Sequence, residues 1–399
     1  MKPLIIKVAD MFGGAGIGTS LFNQLSTELS KELGRSVKVE VAAVIECEKI
    51  RCEVYKSLHK TATVIHGDVN NPEDLKAFIK AAKDSGAQIL CASPVCRSFS
   101  NANKSLGKKA HENNRLFLRV LEVIEQCHFK AVLIENVPGF LKAQPKNVPE
   151  LGGLTIQKYI EKFLVKHKYK TNSGVLNAAN YSVPQTRRRS FILGVKETIG
   201  EWAFPQKHGK WITEDEAIGD LPALEPVADS FNPYPTYHKL HRWPQAIVNA
   251  LRYTGPGDSV FLNKIRHRLS RKDGGLLIYY ASSLHRGHPN KTRGAILQKS
   301  AGHGVCHPGR YIGTDENGDK MFSEARPYSV LELMIFMGLP RNFKFPAWCD
   351  DEENLLRDIL GEGVCPPVMN LLLKQIIPQL IKAEEKEQQN SPFSTQSGQ

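Results

Sequence analysis

The strongest constraint in this chain is an alternation. Short apolar runs, LIIKVADMF, VAAVIEC, TVIHGD, AQILCAS and AVLIENV, are interleaved with SLFNQLSTELSKEL, DLKAFIKAAKDSG and NRLFLRVLEVIEQC. The runs have strand length, and the longer stretches space their apolar residues by three and four, as helices do. Strands alternating with helices of this length imply βαβ units and a parallel sheet. TIQKYIEKFLVKH continues the pattern, and SGVLNAAN and RSFILGV read as two further strands. A chain of 399 residues has room for a second domain.

The pattern breaks near Phe204-Pro205. From there to about Asp319 the chain is rich in Gly, Pro, His and Tyr, and long periodic runs are few. The formal net charge of +12 is unevenly spread, and one segment within this stretch is strongly basic. Between Thr236 and Tyr311 thirteen Lys or Arg stand against Asp258 and Asp273 alone. Charge gathered in one segment, with aromatics interleaved, favours a polyanionic partner, most simply nucleic acid. Periodicity resumes in SVLELMIFMGL and NLLLKQIIPQLIKA, both amphipathic helices. The expected organisation is a sheet domain at 1–204, a basic domain at 205–320, and helices at 321–382. A disordered polar tail is expected at 383–399.

Other classes are excluded by composition. No apolar run reaches the roughly 18 residues of a membrane span. MKPLIIKVADMFGG reads as a first strand rather than a secretory signal, which places the protein in the cytoplasm. The eight cysteines form no CxxC pair, so neither a zinc site nor a disulfide framework is expected, and no metal is assigned.

In an open α/β sheet, ligands bind beyond the carboxyl ends of the strands. The first tip carries DMFGGAGIG, residues 10–18, whose glycines admit close backbone approach to a ligand. Glu46 ends the second strand, where a carboxylate suits ribose hydroxyls. Asp68 ends the third; taken alone it reads as a turn cap. Together the three tips make a nucleoside-binding edge, and no GxxxxGK[ST] supports a P-loop. After the fourth strand comes ASPVCRSFS. Pro94 cannot continue a central strand, so Cys96 lies in a loop beyond it. Glu135 closes the fifth strand, where partial desolvation raises a carboxyl pKa and fits it to proton work. In NYSVPQTRRR, extended alternation puts Arg187 and Arg189 on one face, able to grip a phosphate or a base edge.

These motifs, in this order, resemble the DNA (cytosine-5) methyltransferases of bacterial or phage type, from Asp10 to about Lys382. The resemblance implies an α/β fold: a Rossmann-like S-adenosylmethionine-dependent methyltransferase sheet with a second, smaller, irregular basic target-recognition domain. It implies S-adenosyl-L-methionine as cofactor, bound by Asp10, Phe12, Gly14, Gly16, Ile17, Glu46, Asp68 and Val69. SPVCRSFS resembles the nucleophile loop, ENV is intact at 135–137, and QTRRR fits Gln-x-Arg-x-Arg. Cys96, Glu135, Arg187 and Arg189 become the catalytic set. ARPYSVLELMIFMGLP, with Arg326, Glu332, Gly338 and Pro340, and GEGVCPPV are similar to the last two motifs, the second opening a helix that returns to the cofactor site. The chain departs from the family pattern at Val95, usually proline, at Arg97, commonly glutamine, and at Glu362, frequently asparagine. The implied activity is methylation of cytosine in double-stranded DNA by a monomer, protecting it from a separately acting restriction endonuclease. A tRNA cytosine-5 methyltransferase on the same scaffold and a catalytically weakened DNA-binding homologue are the alternatives.

Overall fold

A computed structural model describes residues 3–95, 113–207, 209–224, 234–240, 244–269, 284–296 and 305–389. The chain divides into two compact units. Unit 1 comprises Met1–Asn177, Arg188–Lys207 and Pro366–Gln399; unit 2 comprises Ala178–Arg187 and His208–Cys365.

Unit 1 is built on a seven-stranded sheet. Its strands are β1 (Leu4–Met11), β2 (Val37–Glu46), β3 (Thr63–His66), β4 (Ile89–Ala92), β5 (Ala131–Asn136), β6 (Tyr169–Asn177) and β8 (Arg188–Lys196), in the order β3-β2-β1-β4-β5-β8-β6. The first five are parallel, and β8 runs antiparallel to β5 and to β6. The chain steps outward from β1 to β2 and β3, then returns to β4 on the other side of β1. That reversal is the switch point where an open sheet parts its strand-end loops.

Helices α1 (Phe22–Leu33), α2 (Lys49–Leu58) and α3 (Pro72–Ser85) connect the first four strands. Asn71 caps α3 by accepting from the Glu73 N–H, with Pro72 in the first turn. α2 has no counterpart in the sequence reading: its apolar face is narrow, although Cys52, Val54 and Tyr55 are buried. Helices Leu116–Cys127 and Ile156–Lys166 follow in the expected places.

Unit 2 holds the less regular elements. Among the described residues its strands are β7 (Gln185–Thr186), β9 (His285–Arg286), β10 (Arg293–Gly294), β11 (Val305–Cys306), β12 (Tyr311–Thr314) and β13 (Lys320–Phe322). They form three two-stranded pairs, β7 with β10, β9 with β11 and β12 with β13. The unit is wider than the expected 205–320. It takes in Ala178–Arg187 and runs on to Cys365, so helix Val330–Phe336 belongs to it rather than to a separate C-terminal part. A chain excursion that leaves the sheet between β6 and β8 carries no compositional mark.

The tail also differs from expectation. Helix Pro366–Gln389 continues through Glu384–Gln389; residues 390–399 lie outside the described part. Glu384 and Glu387 pair with Lys130, and Glu385 pairs with Arg35. Low hydropathy signals disorder only where nothing is offered to bond; Glu, Lys and Gln are good helix formers. The stretch 353–387 is apolar enough to pass for a membrane span, but 67% of its most apolar window is buried inside the protein. Its core positions include Leu372, Leu373, Ile376, Ile377 and Leu380, all fully buried.

Candidate active site

The site begins at the tip of β1. Phe12 has φ 63°, a left-handed conformation that a bulky residue adopts only under constraint. Its N–H donates to the Ile45 carbonyl at 3.1 Å, which ties the turn to β2. Gly13 must lack a side chain, since a Cβ there would come within 2.6 Å of Val44 and 2.7 Å of Tyr55. Gly14 (φ 54°) and Gly16 (φ 76°) are left-handed as well. A Cβ on Gly14 would meet nothing within 4 Å, so its outer side faces open space.

Glu46, at the end of β2, is buried, and its carboxylate is locked in place. Oε2 accepts from the Gly14 N–H at 3.0 Å and Oε1 from the Glu48 N–H at 2.9 Å. The glycine loop and the second strand tip are thus one bonded unit. Beneath them lies Asp10, whose carboxylate accepts from the Tyr55 hydroxyl at 2.7 Å. Burial raises the Asp10 pKa to about 7, with the Tyr55 hydrogen bond opposing and Glu46 adding to the rise. Thr19 Oγ1 donates to the Gly16 carbonyl at 3.2 Å and lies 2.9 Å from His59 Nε2. Burial lowers the His59 pKa to about 4. Tyr55 and His59 therefore prop the loop from α2 and its end, through Asp10 and through Thr19 of the same loop, and none was marked by the sequence.

Ile17 and Val69 are buried, Val69 within the main core cluster. Asp68 is exposed, and its Oδ1 accepts from the Asn70 N–H at 2.9 Å, the turn-capping geometry expected of it alone. It also lines an open cleft of about 620 Å³ with Asn70, Arg115, Leu118 and Arg119. Open backbone at Gly14 and an oriented carboxylate at Glu46 fit a nucleoside cofactor.

The second half of the site is the β4–β5–β8 edge. Ser93–Val95 lead out of β4, with Val95 40% exposed; Cys96 and Arg97 lie outside the described residues. The path toward Cys96 is nonetheless anchored. Asn136 Nδ2 donates to the Pro94 carbonyl at 2.9 Å, and both partners are held below the surface. Asn136 is thereby a positioning residue that the ENV motif contained without declaring its task. Glu135, buried on β5, forms an ion pair with Arg189 on β8, with Nε to Oε1 at 3.1 Å. The antiparallel pairing of β5 and β8 brings these residues together across 54 positions of sequence.

Arg187 goes elsewhere. It lies between β7 and β8 in unit 2, is 1% exposed, and donates to the carbonyls of Ile296 (2.6 Å), Gly361 (2.8 Å) and Glu362 (3.2 Å). The expected alternation of Arg187 and Arg189 on one face is not realised, because the break between β7 and β8 ends the extended run. Gln185 is fully buried as well, donating to the Phe336 carbonyl and accepting from the Ile296 N–H.

An open sheet with a nucleoside-type edge at its switch point, beside a buried carboxylate paired with a half-buried guanidinium, defines an α/β methyltransferase. The fold is shared with a solved structure described as a proposed DNA modification methyltransferase encoded within a prophage (E.coli), at TM-score 0.62 and 16% identity over 94% of this chain and 99% of that one. The family description C-5 cytosine-specific DNA methylase matches residues 6–378, and the chain belongs to that family. Type II methyltransferase M1.HgaI of Avibacterium volantium is 29% identical over 367 residues, 90% of this chain and 98% of that protein. Type II methyltransferase M.XorII of Xanthomonas oryzae is 29% identical over 221 residues, 54% of this chain and 46% of that protein.

Proposed function

We propose that the enzyme transfers a methyl group from S-adenosylmethionine to carbon 5 of a flipped-out cytosine in a specific duplex sequence, in the cytoplasm, marking DNA against a separate restriction endonuclease. The observation that carries this reading is the Glu135–Arg189 pair, set beside the strand whose loop leads to Cys96.

Bound at the β1–β3 edge, S-adenosylmethionine supplies an electrophilic methyl group. Glu46 would take the ribose hydroxyls, Asp68 and Val69 the adenine edge, Phe12 and Ile17 its apolar surroundings, and Gly14 and Gly16 would lie against the amino-acid end. Asp10 supports this edge from below through Tyr55. Carbon 5 of cytosine is a weak nucleophile. Cys96 attacks carbon 6 as a thiolate, forming an S–C bond and leaving carbon 5 enamine-like. A free thiol of pKa about 8.5 is only a few per cent ionised at neutrality. Glu135 holds nitrogen 3 and the exocyclic amine, while Arg189 holds the carbonyl at carbon 2 and orients Glu135. Methylation of carbon 5 breaks the sulfonium–methyl bond and leaves S-adenosylhomocysteine; the carbon-5 proton then passes to water, its electron pair re-forms the carbon 5–carbon 6 double bond as the S–C6 bond breaks, and the ring and thiolate are restored. Arg187 acts at a remove, through the main chain it binds.

The target base is unreachable inside a duplex, and flipping it out costs roughly a few kcal/mol. The basic segment 236–311 supplies phosphate contacts that offset this and reads the bases. The family description and this basic segment both favour DNA over tRNA. Retention of Glu135 with Arg189 argues against a weakened binding homologue.

Cys96→Ser is expected to abolish methyl transfer to duplex DNA while leaving S-adenosylmethionine affinity near wild type. Duplex DNA carrying 5-fluorocytosine is expected to trap a covalent complex, because fluorine cannot leave carbon 5 as a proton does. Robust turnover by the Ser variant, or methylation of tRNA in place of DNA, overturns the reading.

A further inference from the structure

In unit 2 the two most exposed large apolar side chains among the described residues, Ile265 (75%) and Leu262 (67%), stand three residues apart. Phe261 beside them is 39% exposed. Solvent-facing apolar groups on a slack loop would need no explanation. This loop is held from every side. Val260 and Leu269 anchor its ends in the hydrophobic cluster of the unit. Buried Asn263 donates to the carbonyls of Ala250 (2.8 Å) and His267 (3.3 Å) and accepts from Thr254. Arg268 donates to the Asn263 carbonyl at 2.7 Å and lies over the Phe261 ring.

A second element clamps it. Asp319, 5% exposed, sits in the turn between β12 and β13, its N–H bonded to Asp315 Oδ1. Lys264 and Arg266 both donate to its carboxylate, and His267 Nε2 lies 2.6 Å from Oδ2. Lys264 first, then His267 and Arg266, hold the Asp319 carboxyl far below the usual carboxylate range. His267, Asp315 and Asp319 approach closely enough to suggest a metal site. Two permanent cations on Asp319 already fill the place that a metal ion would take. The clamp aligns cations instead. Lys264 and Arg266 remain 65% and 48% exposed, and an ammonium with three N–H groups and a guanidinium with five have donors beyond those Asp319 accepts.

We propose that residues 261–268 form a rigid DNA-reading ridge, in which Lys264 and Arg266 grip backbone phosphates while Leu262 and Ile265 enter the major groove. This rests on the reading of the chain as a duplex-DNA methyltransferase. Charge complementarity selects the occupant: the ridge lies in the segment with thirteen basic and two acidic residues. The apolar surface that a duplex offers in its major groove is the thymine methyl group, which aliphatic side chains contact. Asp319 is a positioning residue that keeps the two cations beside the apolar pair.

The test is a titration of the full-length enzyme with a duplex bearing its methylated sequence, over a series of salt concentrations. Leu262→Ser/Ile265→Ser is expected to weaken binding about tenfold or more without changing the salt slope, because no phosphate contact is lost. Lys264→Gln/Arg266→Gln is expected to flatten the slope of log affinity against log salt by about 1.8, roughly 0.9 for each of two phosphates. S-adenosylmethionine affinity and thermal midpoint serve as controls. Should the apolar variant melt early, the charge variant carries the test by its slope. Variants that bind duplex DNA as the wild type does overturn the ridge alone. A wild type that methylates no duplex DNA removes both the ridge's occupant and the reading beneath it.

Discussion

In the sheet unit, β4 and β5 are buried at every position, and their hydrogen bonds are satisfied by neighbouring strands. In the second unit no described strand exceeds four residues, and arginines take the place of ladder partners. Arg286 donates to the carbonyls of Leu251, His307 and Glu324. Arg326 grips Glu332 through both terminal nitrogens, at 2.8 and 2.9 Å, and also binds Glu324. Arg187 takes three carbonyls and Arg357 a fourth. Buried carbonyls must be paired, and a guanidinium with five N–H groups can serve several strandless segments at once. The lesson is that arginines in such a unit have two uses. Some arginines face a polyanion, while others replace the sheet that the chain does not form.

Breaking the largest of these arginine junctions gives the largest effect. Arg326→Met leaves Glu332 and Glu324 buried without their shared cation. It is expected to destabilise unit 2 by about 3–5 kcal/mol, seen as an early denaturant transition, while S-adenosylmethionine affinity in native buffer stays near wild type. Loss of cofactor binding in step with that transition would show that the two units do not stand apart energetically.

Among the described residues, Asp10 in unit 1 and Glu214 in unit 2 are buried carboxyls with raised pKa values, both at about 7, with burial the main cause. A carboxyl that stays neutral when folded but ionises when unfolded makes the fold lose stability as pH rises. The loss runs from about 4, the ordinary value, to about 7, and is level above. Glu214→Gln keeps the acceptor for Tyr328, which donates to Glu214 at 2.6 Å. Relative to wild type it is expected to gain on the order of a few kcal/mol across that window, measured by denaturation midpoints at a series of pH values. A difference that does not vary with pH would disprove the shift.

Glu46→Ala tests the bonded glycine loop of unit 1. Cofactor affinity is expected to fall by about 1.5–3 kcal/mol, the range for hydrogen bonds to a charged group, read by calorimetry, with DNA affinity unchanged in the absence of cofactor. The smallest effect is expected at the end of the last helix. Glu384→Ala removes a partly exposed pairing with Lys130. The expected loss is about 0–1 kcal/mol and shrinks further in high salt. A larger loss would mean that this segment holds the sheet unit together.

The strands and most helices of unit 1 were legible because their signal is local: each residue's face follows from its neighbours two, three or four positions away. The glycine loop, Glu46 and Glu135 were legible for the same reason, since each sits where a periodic run stops. Tyr55 was hidden because its meaning is a bond to Asp10, 45 residues earlier, and Asn136 because its partner Pro94 is 42 residues away. Arg187 and Arg189 of QTRRR look equivalent as letters. Only the tertiary structure sends Arg189 to Glu135 and Arg187 to the carbonyls of unit 2. Residues 178–187 leave the sheet for the other unit on the same terms. Periodicity encodes which face of an element is apolar, and that is determined along the chain. Which distant carbonyl or carboxylate a buried cation meets depends on how the elements pack, and no one-dimensional pattern carries that information.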